Sequence, residues 1–356
     1  MIDKDIRQVW IIRILLFPLS ILYTCVIQIR NFLFNFGVFK SHRSPVILVS
    51  VGNITAGGTG KTPMTMYLIH LLSEDFKRIV VISRGYGRRT KGVNIVSDAK
   101  GNILSAQEGG DEPVLIARKN PTCPVIVSEK RSQGIITALA EFQPDLILLD
   151  DAFQHRWVNR HCDVVLINAE GEFHKERPLP LGNLREPLGN LNRADIIIMT
   201  KITKSVNARD IAVVEKNYSG PIFESRFLPD RLVNHNFEQV YQIDQLKDHR
   251  ILAFAGISDP RLFTHFLEEQ GMILEEFVSY PDHHYYSEWD LKDLYAKACG
   301  HNCRHIITTE KDLVKLNISQ INEVEILGLS IKIELAEREK LRQNILTCID
   351  KAMKNG

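Results

Sequence analysis

The chain has 356 residues, 44% of them apolar, and a formal net charge of +1. That length allows one large domain or two ordinary ones, and the near-neutral balance excludes a general electrostatic attraction to nucleic acid. Six cysteines scattered between positions 25 and 348 form no disulfide framework and match a reducing compartment. Cys299 and Cys303 flank His301 but lack a second ligand pair at zinc-site spacing.

The first predicted element is apolar. Residues 10–39 are rich in Ile, Leu and Phe but carry Arg13 and Arg30. The uncharged stretch Ile14–Ile29 has 16 residues and contains Pro18, short of the ~20 that a spanning helix needs. Asp3, Asp5 and the lack of a small-residue cleavage site argue against a signal peptide. Two readings stay open: a helix pair closing the core of the main domain, or a helix or hairpin in a membrane interface with its arginines reaching lipid phosphates. A peripheral or monotopic enzyme fits this segment; a transmembrane one does not.

Beyond Pro45, short Val/Ile/Leu runs recur at 46–52, 78–85, 123–128, 145–151, 163–168 and 195–201, with helical patterns between several of them. Such runs predict strands buried on both faces, and hence a doubly wound, mostly parallel α/β sheet. A less apolar stretch at 203–245 is punctuated by Gly220-Pro221 and Pro229-Asp230. A strand–helix rhythm then resumes through 250–257 and 305–312. The expected organisation is a hydrophobic helical segment at 1–44, a P-loop α/β core at 45–228 and a smaller C-terminal α/β domain at 229–356.

The run VSVGNITAGGTGKT at 49–62 has the parts of a phosphate loop, although Thr55 stands where the strict G-x-x-x-x-G-K-[ST] pattern places glycine. A strand feeds a turn made flexible by Gly57, Gly58 and Gly60, and a helix starts at once with Pro63 in its first turn. Thr55, Ala56, Gly57, Gly58, Thr59, Gly60, Lys61 and Thr62 are therefore expected to enclose the phosphates. Lys61 would reach the β- and γ-phosphates and the Thr62 hydroxyl would ligate Mg²⁺. The predicted strand at 145–151 ends in Asp150 and Asp151, placed to manage the metal. Thr203 closes TKIT where a guanine-reading loop needs aspartate, so adenine, and hence ATP, is favoured.

Three polar clusters remain: SRGYGRR (83–89), whose Arg84 and Arg88 suit an anionic ligand; GGDEP (109–113); and PDHHYY (281–286). An acceptor hydroxyl in phosphoryl transfer needs a group to take its proton, and Asp111 and His283 are groups of that type.

In this order, SVGNITAGGTGKTP, SRGYGR, GDEP, LLDDAFQHR, LREP and PDHHYY closely resemble the tetraacyldisaccharide 4′-kinase family, from the apolar N-terminus past TTEKD at 308–312. The resemblance implies a Mg-ATP-dependent P-loop kinase at the cytoplasmic face of the Gram-negative inner membrane. Such an enzyme phosphorylates the 4′-hydroxyl of a tetraacylated glucosamine disaccharide 1-phosphate to give lipid IVA. It also implies that a smaller C-terminal domain closes over the active site, with no obligate protein partner evident. Carried onto this chain, Thr59, Lys61 and Thr62 hold the ATP phosphates and metal, and Asp111 is the base, paired with His283. Asp150 and Asp151 support the metal and γ-phosphate, and Glu186 is a further magnesium contact. Arg131, Gln154, His155 and Arg185 line the site, and the family shares the TAGG loop entry. The rival reading is a membrane-recruited P-loop ATPase acting as a conformational switch. Ala56 speaks against it, because switch ATPases of the deviant type place a lysine there.

Overall fold

The structure is a computed structural model that describes residues 10–203, 205–257, 260–316 and 324–355. Asp3 and Asp5, used above, lie outside them. The N-terminal half contains α1 (Trp10–Asn35), β1 (Ile47–Asn53), α2 (Lys61–Leu72), β2 (Ile79–Ser83), β3 (Asn94–Ser97), α3 (Ala106–Gly109), α4 (Asp111–Lys119) and β4 (Val125–Val127). It continues through α5 (Arg131–Phe142), β5 (Leu146–Asp150), β6 (Cys162–Asn168), β7 (Ile196–Thr200), α6 (Ala208–Asn217) and β8 (Ile222–Glu224). The remainder is β9 (Arg226–Val233), β10 (Gln239–Tyr241), β11 (Arg250–Ala255), α7 (Arg261–Glu269), β12 (Ile273–Ser279) and α8 (Glu288–Gly300). It closes with β13 (His305–Thr309), α9 (Glu310–Leu313), β14 (Glu325–Glu334) and α10 (Arg338–Asn355).

These elements form two compact units. Unit 1 comprises the chain up to Ser83, Lys130–Arg226 and the stretch from Leu335 onward; unit 2 comprises Arg84–Glu129 and Phe227–Glu334. The division differs from the linear one expected at 228. Residues 84–129 join the later chain because α4 packs on α9, with Lys119 Nζ bonded to Glu310 Oε2 at 2.9 Å and to Ser330 Oγ at 3.0 Å. The last helix returns to unit 1, where Leu341, Ile345 and Ile349 form a buried stripe and Arg342 holds Asp75.

Unit 1 is built on parallel strands in the order β2-β5-β1-β6-β7-β8. From central β1 the chain winds first to one side and then, after β5, to the other. Such a reversal opens a crevice at the carboxyl ends of the strands. β1, β2, β5 and β7 are buried almost throughout, which is why they read as continuous apolar runs. Unit 2 holds a six-stranded sheet, β10-β9-β14-β13-β11-β12, in which β11 to β14 pair in parallel, and the antiparallel pair β3–β4.

At the N-terminus the described residues form one long helix, α1, with Pro18 inside it. By length and composition alone, Ile12–Asn35 is long and apolar enough to cross a membrane, in contrast to the short uncharged core read from the sequence. Leu16, Ser20, Asn31 and Phe34 are buried against unit 1, with Ser20 Oγ donating to Pro178 O and Tyr23 OH to Arg185 O. On the other faces Leu15, Phe17, Leu19, Leu22, Val26 and Ile29 are exposed. The helix is therefore no core-closing pair. Arg13 is exposed, but Arg30 turns inward to Asn31 and Glu186 rather than toward lipid.

Candidate active site

The glycine loop follows β1 in unit 1. Gly57 (φ +120°) and Gly60 (φ +82°) occupy backbone conformations closed to most side chains, and nothing lies within 4 Å of a Cβ built on Gly57. The loop therefore presents open, side-chain-free backbone beside the first turn of α2. Thr55 has no positive φ; it bridges Leu184, and Ala56 N–H donates to Asn183 O at 2.7 Å. The loop entry is stitched to residues 183–185, so glycine is not required there. Buried Thr59 is fixed from two sides, its Oγ1 accepting from Asn53 Nδ2 at 2.9 Å and its carbonyl accepting from Thr200 Oγ1 at 2.9 Å. Gln154 Nε2 donates to Asn53 O at 2.8 Å.

Asp150 and Asp151 divide the work at the end of β5. Asp150 is buried and accepts from Thr65 Oγ1 (3.1 Å) on α2 and Ser83 Oγ (2.9 Å) on β2. Asp151 adopts φ +48° and faces Lys61 Nζ at 3.6 Å and Arg185 Nη1 at 3.0 Å. Burial pushes the Asp151 carboxyl up, but Lys61, Arg185 and Arg131 outweigh it and hold the pKa below its ordinary value. Arg131, 2% exposed, donates from Nη2 to Asp150 O at 3.0 Å. Loop, Lys61, both aspartates, Arg131, Gln154 and Arg185 thus belong to one constellation. Oxygen donors of the Thr62 and Asp150 type suit a hard cation such as Mg²⁺. His155 lies on the wall of a groove of about 480 Å³ with Lys40, His42, Lys130 and Trp157.

Two expected members are placed differently. Glu186 is 0% exposed and accepts from Asn31 Nδ2 (2.9 Å), Asn190 Nδ2 (2.8 Å), Arg193 Nη2 (2.8 Å) and Arg30 Nη2 (3.4 Å). As placed, it balances two guanidiniums, and a metal contact would require it to exchange one of these donors. Arg88 is turned in, its side chain 2% exposed and paired with Glu129 Oε1 at 2.6 Å, so it does not line an open site; Arg84 is exposed. Cys299, His301 and Cys303 form no ligand cluster. Among the described residues the one group of ligand-type atoms within 4.8 Å of each other is Cys162, Asp195 and Cys348.

In unit 2, Asp111 and His283 meet. Gly110 (φ +88°) turns the chain into α4, so that Asp111 opens the helix, 4% exposed, its Oδ1 accepting from Glu112 N–H at 2.9 Å. A carboxylate at a helix N-terminus is favoured by the helix dipole. His283, in a loop with φ +61°, places Nδ1 2.8 Å from Asp111 Oδ2. Burial raises the Asp111 pKa, but the hydrogen bond from His283 and the charge of Lys311 prevail and leave it lowered. The same hydrogen bond raises that of His283, against burial and Lys311. The Tyr86 ring packs against the imidazole, tilted by 53° with 5.1 Å between centroids, and Tyr285 OH donates to Gly87 O. Lys311, from TTEKD, completes the group at 3.3 Å from Asp282 Oδ1 and 3.4 Å from Glu112 Oε1. The sequence reading gave it no role; its signal was only its place just beyond a buried strand.

A glycine loop between a buried parallel strand and a helix, next to a strand that ends in two aspartates, defines a P-loop nucleotide-binding α/β protein. Residues 12–350 match the family model described as tetraacyldisaccharide-1-P 4′-kinase, and the chain belongs to that family. It is 36% identical over 332 residues to the tetraacyldisaccharide 4′-kinase of Aquifex aeolicus, covering 93% of this chain and 97% of that one. It is 40% identical over 305 residues to that of Chlorobium limicola, covering 85% and 86%. It also resembles the crystal structure of the "apo" form of LpxK from Aquifex aeolicus in complex with ATP, at 36% identity and TM-score 0.78, covering 95% of this chain and 99% of that one.

Proposed function

We propose that this protein transfers the γ-phosphate of ATP to the 4′-hydroxyl of a tetraacylated glucosamine disaccharide 1-phosphate, forming lipid IVA at the cytoplasmic face of the inner membrane. Family membership supports the reaction. The single observation that carries the chemistry is Asp111, buried at a helix N-terminus and within 2.8 Å of His283.

Unit 1 serves the donor. The Gly57–Gly60 backbone and Lys61 receive the phosphates, and Thr62 and Asp150 would hold Mg²⁺, which neutralises charge on the β- and γ-oxygens. Arg185 and Arg131 keep Asp151 ionised beside Lys61. Unit 2 serves the acceptor: Asp111 takes the 4′-hydroxyl proton on a carboxylate oxygen, and His283 orients that carboxylate. The exposed apolar side of α1 rests in the bilayer surface, where the acyl chains of the substrate remain embedded.

The test is transfer of labelled phosphate from Mg-ATP to the disaccharide lipid in detergent micelles. Asp111→Asn is expected to lower transfer ~10²–10⁴-fold while nucleotide binding persists. Full transfer by that variant would remove Asp111 from the chemistry. ATP hydrolysis without any lipid product would favour the switch ATPase instead.

A further inference from the structure

The Asp111–His283 pair has a third member. The Lys311 ammonium, its side chain 20% exposed, has three N–H groups and faces three acceptor positions in its own unit: Asp282 Oδ1 (3.3 Å), Glu112 Oε1 (3.4 Å) and His283 Nε2 (3.4 Å). Asp111 Oδ2 lies at 3.9 Å, at the edge of ion-pair reach. An ammonium donates hydrogen bonds and accepts none. With Nδ1 donating to Asp111, Nε2 can accept from the ammonium 3.4 Å away only while it carries no proton, since a proton there would set two like charges against each other.

We infer that Lys311 is a positioning residue for the Asp111–His283 pair: it donates to His283 Nε2 and so opposes a second proton on the imidazole, keeping the ring proton on Nδ1 aimed at Asp111. This rests on the reading of the pair as the acceptor-side base. A neutral Nδ1–H donor orients the Asp111 carboxylate and leaves it basic, whereas a doubly protonated imidazole would neutralise the carboxylate in an ion pair. Two influences oppose each other across the ring: Asp111, with Asp282, draws a second proton onto it and prevails, and Lys311 limits that pull. Tyr86 packs against the ring at a tilt, and Lys315 adds a weaker positive influence on Asp111. The placement of Lys311 is enforced from below. It sits in the first turn of α9 between Glu310, held by Lys119 of α4, and Asp312, held by Gly256 N–H, Thr309 and Tyr286.

Two measurements on the full-length protein test this. The first is the ¹⁵N spectrum of the His283 ring in histidine-labelled protein, assigned by its loss in His283→Gln. The expected result, at a pH on the alkaline side of the wild-type acid limb, is a proton on Nδ1 and none on Nε2; a proton on Nε2 there overturns the inference. The second is the pH profile of phosphate transfer for Lys311→Gln and Lys311→Arg. Without the charge, His283 gains its second proton at higher pH, so Lys311→Gln should lose about tenfold in rate per unit by which the acid limb moves, recovering toward alkaline pH. Lys311→Arg should keep the wild-type limb. A uniform loss across the range with an unmoved limb would reduce Lys311 to a structural brace and overturn the inference. Should Lys311→Gln not fold, the wild-type ring spectrum decides alone. A wild type that transfers no phosphate would overturn the kinase reading and leave the ring measurement standing.

Discussion

Glu186 shows how a motif residue can serve the fold. Its carboxylate is buried among Arg30, Asn31, Asn190 and Arg193, and removing one partner of a buried ionic group leaves the others uncompensated. Glu186→Gln is expected to destabilise the protein by ~3–5 kcal/mol, read as a fall in denaturation midpoint; an unchanged midpoint would free Glu186 for a metal role. At Asp111 and His283 the pH signs run oppositely. The raised His283 pKa means that its contribution to stability is complete below its ordinary value of 6.5 and lost as pH rises through the raised one. The lowered Asp111 pKa means that its contribution is present above the ordinary 3.8 and lost as pH falls through the depressed one. Stability should therefore decline on the alkaline side of 6.5 in wild type but not in His283→Asn, as denaturant titrations across that range would show.

At the scale of elements, α1 and α10 bury stripes at helical spacing for different ends. Leu341, Ile345 and Ile349 are buried along α10, and Ile345→Ala should cost ~2–5 kcal/mol through lost burial and a cavity, measurable by urea unfolding. α1 buries one narrow stripe and leaves the rest apolar and exposed, too much for a soluble surface without a function. Replacing Leu15 and Leu22 by glutamate should abolish flotation with anionic vesicles while sparing ATP binding; persistent flotation would discard the interfacial reading. Strands and glycine loop were legible in the sequence because their signals are local, in continuous apolar runs and fixed glycine spacing. The partners of Glu186 and Arg88 could not be read, because they come from other segments and a motif carries the residue type without its partners. Lys311 escaped for the same reason, since its surroundings are assembled by the packing of α4 on α9.

At the scale of the whole molecule, sequence order and spatial grouping part company. A composition change near 230 was visible, but nothing local reveals that 84–129 packs with the later chain or that the last helix rejoins unit 1. A fragment of residues 229–356 lacks α4 and the β3–β4 pair, leaves Glu310 without Lys119, and carries α10 without its binding face. It should show no cooperative unfolding by circular dichroism, whereas 84–129 joined by a short linker to 227–334 should fold. A cooperative transition in the 229–356 fragment would restore the linear division.

The Tyr23–Arg185 contact ties the apolar helix to the phosphate-loop constellation. The tyrosine hydroxyl on the apolar helix holds the carbonyl of the residue whose guanidinium holds Asp151, and Asp151 in turn faces Lys61. With α1 docked on a bilayer as proposed, a tilt of the helix would pull on this relay and alter the affinity of the phosphate loop. Tyr23→Phe should blunt any difference in ATP affinity between vesicle-bound and free protein, as nucleotide titrations of both forms would show.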